Sequence, residues 1–252
     1  MTPALSRQRY ELKYLVHHRQ AMQISALLAD YMVPDHHGDG EGQYQVTSLY
    51  YDTVDHKAYW DKTNGYRNRR KLRVRIYGSQ AVTPGTPCFV EIKQRLDRVV
   101  QKRRVILPHC ATTDLDHLEE IWRVSPEPDA AVLQEVDYLC KALQLQPACV
   151  VGYQRLAFEG REYDPGLRVT FDSNLKYRLH ELSLSSNGQA TDHYFLSPDW
   201  CIMEVKLNHR VPIWLTEVIG KHECVVRRFS KYCAAIEHGK RQLDQQRIAE
   251  QY

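Results

Sequence analysis

The chain has 252 residues, of which 43% are hydrophobic, so it can bury a sizeable core. Its formal net charge of +3 is too small to require a nucleic acid partner. No run approaches the roughly 18 apolar residues of a membrane-spanning helix, and the first residues lack the apolar segment of a signal peptide. We therefore predict one cytoplasmic domain over residues 1–252, with a core at about 9–235 and a polar helical tail at 236–252.

Alternating and helical periodicities predict eight strands and several helices. The predicted strands span residues 9–16, 45–52, 71–78, 88–95, 101–107, 149–161, 166–178 and 201–208. The predicted helices span residues 18–32, 54–62, 112–122, 129–143, 213–222 and 229–243. Loops rich in glycine, proline or serine are expected at 36–43, 78–87 and 183–192.

Cysteine and histidine usage does not indicate a metal centre. The seven cysteines are odd in number and scattered without a CxxC pair, so we interpret them as reduced thiols that are mostly buried. The twelve histidines include the pairs His17-His18 and His36-His37, but none has the HExxH spacing of a zinc site. Surface or loop histidines are the favoured interpretation.

The stretch 71–107 shows the most informative pattern, because its strands carry charge on one face. In the predicted strand 71–78, Arg73 and Arg75 share one face, and Leu72 and Val74 share the other. Charged side chains also lie at alternate positions of other predicted strands: Arg9, Glu11 and Lys13; Glu91 and Lys93; Lys102 and Arg104; Arg155; Arg168 and Asp172; Glu204 and Lys206. For a single strand, a solvated sheet face is the ordinary explanation.

The recurrence of arginine and lysine suggests a different arrangement. If helices cover the apolar sides and the sheet closes into a barrel, roughly ten cations and four acids would line its interior, at a cost of several kcal/mol per unpaired ion. A bound polyanion would offset that cost. Arginine binds two phosphate oxygens at once and lysine adds a point charge, so the lining suits a string of phosphates. The carboxylates could hold Mg²⁺ or Mn²⁺.

Several short motifs follow one another along the chain in a specific order. They are Lys13 in the first strand, Arg73-x-Arg75-x-Tyr77-Gly78, Glu91-x-Lys93, Lys102-x-Arg104, Tyr153-x-Arg155, Arg168 ahead of Asp172, Glu204-Val205-Lys206 and Phe229-Ser230-Lys231-Tyr232. From about Arg9 to Tyr232 the chain resembles the VTC domain, the polyphosphate polymerase module of the triphosphate tunnel metalloenzyme superfamily.

The resemblance implies an α+β fold with an antiparallel eight-stranded β-barrel, the triphosphate tunnel, and helices packed outside it. It implies an ATP-dependent phosphotransferase that moves the γ-phosphate onto a polyphosphate chain with Mn²⁺ or Mg²⁺. The residues it implies are Lys13, Arg73, Arg75, Lys93, Arg155, Arg168 and Glu204 for catalysis, Lys102, Arg104, Lys206, Ser230 and Lys231 for substrate binding, and Glu204 with Glu91 for the metal.

The acceptor of the phosphoryl group is left open by the sequence. A metal-dependent tripolyphosphatase or nucleoside triphosphatase would use the same tunnel with water as acceptor, and a polyphosphate-binding module would use it without turnover. The expected partners are ATP and polyphosphate, with no nucleic acid and no membrane insertion by this chain, although a separate membrane subunit could associate with it. Arg9 stands where the ExExK motif of related cyclases and thiamine triphosphatases begins, which argues against those activities.

Overall fold

The structure is a computed structural model that describes residues 10–37, 40–97, 99–185, 192–208 and 210–249. Arg9, part of the predicted loop at 183–192 and the end of the predicted tail lie outside the described residues. The strands are β1 (Tyr10–His17), β2 (Met32–Pro34), β3 (Gln43–Asp52), β4 (Asn68–Tyr77), β5 (Pro87–Leu96), β6 (Val99–Pro108), β7 (Gln146–Gly160), β8 (Arg168–Arg178), β9 (His193–Tyr194) and β10 (Trp200–Leu207). The helices are α1 (His18–Leu28), α2 (Lys57–Thr63), α3 (Glu119–Trp122), α4 (Asp129–Leu143), α5 (Ile213–Lys221) and α6 (Lys231–Ala249).

The chain packs as two compact units, each built from three segments. The first unit comprises Met1–Gln45, Tyr153–Leu175 and Leu196–Phe229. In it, β10 pairs antiparallel with both β1 and β8, and β2 pairs antiparallel with the end of β7. Alternate residues such as Val16, Val169 and Met203 are buried in one apolar cluster with Ile24 and Leu28 of α1. One face of these strands is therefore covered, as their alternation predicts.

The second unit contains an antiparallel meander. It comprises Val46–Gly152, Lys176–Phe195 and Ser230–Tyr252. Strands β3, β4, β5 and β6 pair in that order, and β9 pairs with the end of β8. Val74, Val90 and Val105 on the apolar face of the meander share a buried cluster with Leu133 and Val136 of α4. The charged positions of β4, β5 and β6 lie on the opposite face, because side chains alternate along a strand.

The predicted helix at 112–122 is mostly wrong. A 3-10 turn at His109–Thr112 and the single-turn helix α3 at Glu119–Trp122 are all that forms there. Between them the Asp114 carboxylate accepts a hydrogen bond from the Asp116 backbone N–H at 3.2 Å. Such local bonds from an aspartate compete with helical hydrogen bonding and favour a turn.

The predicted helix at 54–62 begins later, at Lys57. The Thr53 hydroxyl accepts from the Lys57 N–H at 2.9 Å, and the Asp52 carboxylate accepts from the Ala58 N–H at 2.8 Å. These two side chains satisfy N–H groups that have no partner within the helix, and so they define its first turn. The predicted helix at 129–143 has the bounds of α4, whereas β2 and β9 are too short to produce a periodic signal.

The fold class is confirmed as α+β with a sheet of antiparallel strands. Closure into an eight-stranded barrel is not confirmed, because within the described part of the chain β1 pairs only with β10 and β6 only with β5. The prediction of one domain over residues 1–252 stays a prediction. Among the described residues, no helix is both long enough and apolar enough to cross a bilayer.

Candidate functional site

Six basic side chains lie on the face of β4, β5 and β6 that points away from the apolar cluster. We call them the basic face: Lys71, Arg73, Arg75, Lys93, Lys102 and Arg104. The strand register places Lys71, Lys93 and Lys102 side by side in one row across the three strands. Arg73 and Arg104 flank Glu91 in the next row, so the register places one acid among the cations of this face.

Glu91 is the buried centre of the basic face, with 1% of its surface exposed. Its carboxylate accepts from Arg73 Nε at 2.7 Å, pairs with Lys102, and lies 4.0 Å from Arg75 Nη1. Although burial opposes its ionisation, the charges of Arg73, Arg75 and Lys102 lower the pKa of Glu91 to about 2. Glu91 is therefore ionised at every physiological pH.

One carboxylate cannot neutralise this many cations, and Lys102 shows the consequence. The pKa of Lys102 is lowered to about 8, mainly by burial. The charges of Arg73 and Arg75 lower it further, and the charge of Glu91 opposes the decrease. Arg104 lies over the ring of Phe89, with its guanidinium carbon 4.9 Å from the ring centroid. The basic face thus has an excess of positive charge that an anion would relieve.

Two polar side chains of β3 position the arginines. The Tyr50 hydroxyl accepts from Arg73 Nη1 at 3.1 Å, and the Ser48 hydroxyl accepts from Arg75 Nε at 3.0 Å. Burial opposes ionisation of Tyr50, but Arg73 and Arg75 lower its pKa. Sequence reasoning missed Ser48 and Tyr50, although they alternate along the predicted strand at 45–52 as the charged residues do along theirs.

The start of α6 lies beside the basic face. The Ser230 hydroxyl accepts from Lys71 Nζ at 2.9 Å and from the Cys233 N–H at 3.4 Å, which caps the helix. Lys231 is buried, and the Tyr232 hydroxyl donates to the Asp52 carboxylate at 2.5 Å. The structure therefore places Ser230 next to a cation of the basic face, as the predicted substrate-binding role requires.

In the first unit, a cluster of alternating charges surrounds Glu204. The cluster, which we call the Glu204 cluster, contains Glu11, Lys13, Glu204 and Lys206. Lys13 Nζ lies 3.0 Å from Glu204 Oε1 and 3.1 Å from Glu11 Oε1, and Lys206 Nζ lies 3.3 Å from Glu204 Oε2. Burial opposes the charge of Lys13, but Glu204 and Glu11 raise the pKa of its ammonium above the usual range.

The Glu204 cluster fits a hard divalent cation. Glu11 and Glu204 converge on one point, the Lys13 ammonium, and the strand register places Thr170 opposite Glu204. The buried Thr170 hydroxyl has no hydrogen-bond partner among the described residues, which leaves an oxygen available to a ligand. Glu91 suits a cation less well, because three cations contact this one acid, whereas the Glu204 cluster has two acids for its two lysines.

Two further predicted arginines are held by acids. Arg155 donates to Asp172 through Nε at 2.6 Å and Nη2 at 2.8 Å, and both side chains are buried. Burial opposes its charge, but Asp172 raises the pKa of Arg155 well above its usual value. A bidentate buried pair of this kind leaves Arg155 little capacity for phosphate, so the structure indicates that it positions β7 and β8.

Arg168 is held by two residues that sequence reasoning missed. It pairs with the buried carboxylate of Asp35, and its Nη2 donates to the Tyr44 hydroxyl at 2.8 Å. Its buried Nε has no hydrogen-bond partner among the described residues. Arg168 can therefore still donate one hydrogen bond to an anion. The sequence offered no signal for Asp35, which follows a strand too short to predict.

Comparison with models of protein families identifies one family. Residues 8–239 match the VTC domain family. A solved structure of a candidate adenylate cyclase from Vibrio parahaemolyticus has a TM-score of 0.42 at 11% identity, with 88% of this chain and 94% of that chain covered. A candidate adenylate cyclase from Bacillus halodurans has a TM-score of 0.49 at 12% identity, with 87% and 92% covered. No curated protein sequence matches. Since the family match extends over nearly the whole sequence, the chain belongs to the VTC domain family.

Proposed function

We propose that this protein is a polyphosphate polymerase-type phosphotransferase, which moves the γ-phosphate of ATP onto a polyphosphate chain. The observation that carries the proposal is the basic face, where six cations share one sheet face with a single buried acid and three of them contact it. Membership of the VTC domain family supports it. The eight-stranded triphosphate tunnel implied by the resemblance is part of the same proposal.

The layout of the basic face suits a linear polyanion better than a single phosphate. Neighbouring strands lie about 4.8 Å apart, so Lys71, Lys93 and Lys102 form a row of cations across three strands. The second row contains Arg73 and Arg104. A phosphate chain along the first row meets a cation at each strand, whereas a single phosphate could contact only part of this row.

The arginines of the basic face are fixed before any substrate arrives. Glu91 and Tyr50 hold Arg73, and Ser48 holds Arg75. Donors that are already oriented stabilise the charge that develops on a transferring phosphoryl group without reorganising. Phosphoryl transfer needs positioning and charge neutralisation, so these residues require no covalent nucleophile among them.

We assign the divalent metal to Glu204, with Glu11 and the Thr170 hydroxyl as the nearest further oxygens. When bound, Mn²⁺ or Mg²⁺ would neutralise charge on phosphate oxygens. Lys13 and Lys206 already contact the Glu204 carboxylate and would hold it in place. Lys93, Lys102, Arg104 and Lys231 are proposed as phosphate contacts, and Glu91 as the residue that keeps the basic face assembled.

The test is incubation of purified protein with ATP and Mn²⁺, followed by gel separation of the products. A phosphate ladder would support the polymerase. Release of free phosphate would instead indicate a tripolyphosphatase or nucleoside triphosphatase. If neither product forms, the protein is a binding module without turnover. In the same assay, Glu204→Gln should abolish metal-dependent turnover. The exposed Glu217→Gln on α5 is the matched control and should retain full activity. Equal activity of both variants would move the metal away from Glu204.

A further inference from the structure

A group of potential metal ligands lies directly after β2, and its Asp35 pairs with Arg168. Asp35, His36 and His37 each present a ligand atom, and these atoms lie within 4.8 Å of one another. Glu159 of β7 adds a fourth, since its Oε2 lies 3.5 Å from His36 Nδ1. The register explains its position, because Val33 of β2 pairs with Glu159.

Two of the spacings around His36 are close to those of a tetrahedral metal site. Zinc binds histidine nitrogen and carboxylate oxygen at about 2.0–2.2 Å, so two ligand atoms of a tetrahedral site lie about 3.4 Å apart. His36 Nδ1 lies 3.7 Å from Asp35 Oδ1 and 3.5 Å from Glu159 Oε2. The His36 and His37 rings are also adjacent, with their centroids 3.9 Å apart. Closing the shell would require the Asp35, His37 and Glu159 side chains to converge further.

The backbone around this group is fixed by hydrogen bonds to β7. The Asp35 N–H donates to the Ala157 carbonyl at 2.9 Å, and the Ala157 N–H donates to the Gly42 carbonyl at 2.9 Å. Gly42 has φ +76°, and a Cβ there would lie 2.4 Å from the Ala157 oxygen. Only glycine allows this close approach, so the chain holds Asp35 against β7.

The Asp35 side chain is also held from behind. It is 1% exposed, and its Oδ2 is occupied by Arg168 and the Tyr44 hydroxyl. Its Oδ1 accepts a hydrogen bond from the His37 backbone N–H at 2.9 Å, and a carboxylate oxygen has a second lone pair for a further partner. Outer contacts of this type orient a carboxylate ligand towards its metal.

The geometry points to a second metal site, formed by Asp35, His36, His37 and Glu159 and suited to a borderline transition metal such as Zn²⁺. Two neutral imidazoles and two carboxylates match the charge of the ion and the ligands it prefers. The site is independent of ATP and of the metal proposed at Glu204. It gives the His36-His37 pair a use that spacing along the sequence does not reveal.

The experiment is a zinc titration of untagged, metal-stripped protein against a coloured chelator, together with the visible spectrum of the Co²⁺ form. All proteins carry Glu204→Gln, so that the proposed catalytic metal does not contribute. We expect one zinc equivalent and the strong visible absorption of four-coordinate cobalt. His36→Ala or His37→Ala should weaken zinc binding at least about 100-fold, since outer-shell changes alone cost 10- to 100-fold. Both histidines are exposed, so their removal should leave the fold intact.

Two controls make the result decisive. His117→Ala removes a histidine from the exposed Asp114, Asp116 and His117 group, and Glu162→Gln removes an exposed carboxylate close to Glu159 in sequence. Neither should change the affinity. Equal zinc binding by the Glu204→Gln parent protein and its His36→Ala variant would overturn the site. Equal loss in His117→Ala would show adventitious surface binding and overturn it too. Glu159→Gln provides an independent third ligand variant.

Discussion

Replacing Glu91 with glutamine removes the only acid of the basic face without changing its shape. Arg73, Arg75 and Lys102 would then face one another around a neutral amide. The variant removes the negative charge and one hydrogen-bond acceptor, because the amide nitrogen of glutamine donates and does not accept. We expect the protein to become less stable in the absence of anions and to regain stability when tripolyphosphate binds.

The size of the effect follows from the pKa of Glu91. Its ordinary value is 4.5 and its folded value is about 2. Each unit corresponds to about 1.4 kcal/mol, so the ionised Glu91 contributes about 3 kcal/mol to the free energy of unfolding at pH 7. Because the folded pKa is the lower one, this stability is present above pH 4.5 and disappears as pH falls towards 2. For a chain of this length the loss corresponds to a melting temperature roughly 6–12 °C lower.

Thermal unfolding at low salt, with Glu217→Gln as the control, measures the effect. The difference between wild-type and Glu91→Gln should be largest near pH 7 and should shrink between pH 4.5 and 2. Tripolyphosphate should raise the melting temperature of Glu91→Gln more than that of wild type, because it supplies the missing negative charge. A variant as stable as wild type at pH 7 would refute the view that Glu91 neutralises the basic face.

Further predictions concern single cations. Arg75→Ala should lower turnover at least about 100-fold, as does removal of one preorganised donor, while largely sparing the melting temperature; unchanged turnover would exclude Arg75 from catalysis. Arg155→Met and Asp172→Asn should each lower the free energy of unfolding, measured with denaturant, by about 3–5 kcal/mol. The double variant should lose less than the sum of the two single losses, and additive losses would contradict a coupled pair. Because the pKa of Lys102 is about 8, binding of tripolyphosphate at pH 8 should cause Lys102 to take up protons. Calorimetry in buffers of different ionisation heat measures this uptake, and Lys102→Met should reduce it.

Much of the strand and helix pattern could be predicted because the physical signal is local. Strands β4, β5 and β6 of the meander alternate between apolar and charged residues over most of their length, and α4 has an uninterrupted apolar stripe from Val132 to Leu139. The burial of Arg75 and Glu91 excludes a solvated sheet face as the explanation for their alternation. Sequence reasoning placed these charges on one face of the strands. The structure buries Arg75 and Glu91 on that face and leaves Lys93, Lys102 and Arg104 exposed.

The remaining features depend on partners distant in sequence. Arg155 and Arg168 occupy similar positions in the sequence pattern, but their contacts differ. Asp172 accepts two hydrogen bonds from the Arg155 guanidinium, whereas the Arg168 Nε remains available beside Asp35. Glu91 was predicted to help bind metal, but its three cationic neighbours come from β4 and β6 and suit it to neutralising charge. No window of sequence shows which charges will become neighbours across strands.

The two compact units are interleaved along the chain, and this limits how the protein can be made or divided. Each unit takes its segments from three separate stretches, and β7 and β8 each begin in one unit and end in the other. A protein cut after Gly152 would separate β1 from its partner β10 and Lys13 from the Phe229 carbonyl, which lies 216 positions later. Long-range pairing of this kind requires large loops to close before the stabilising contacts form. Folding should therefore be slow, and it should be completed only after the last strand has been synthesised.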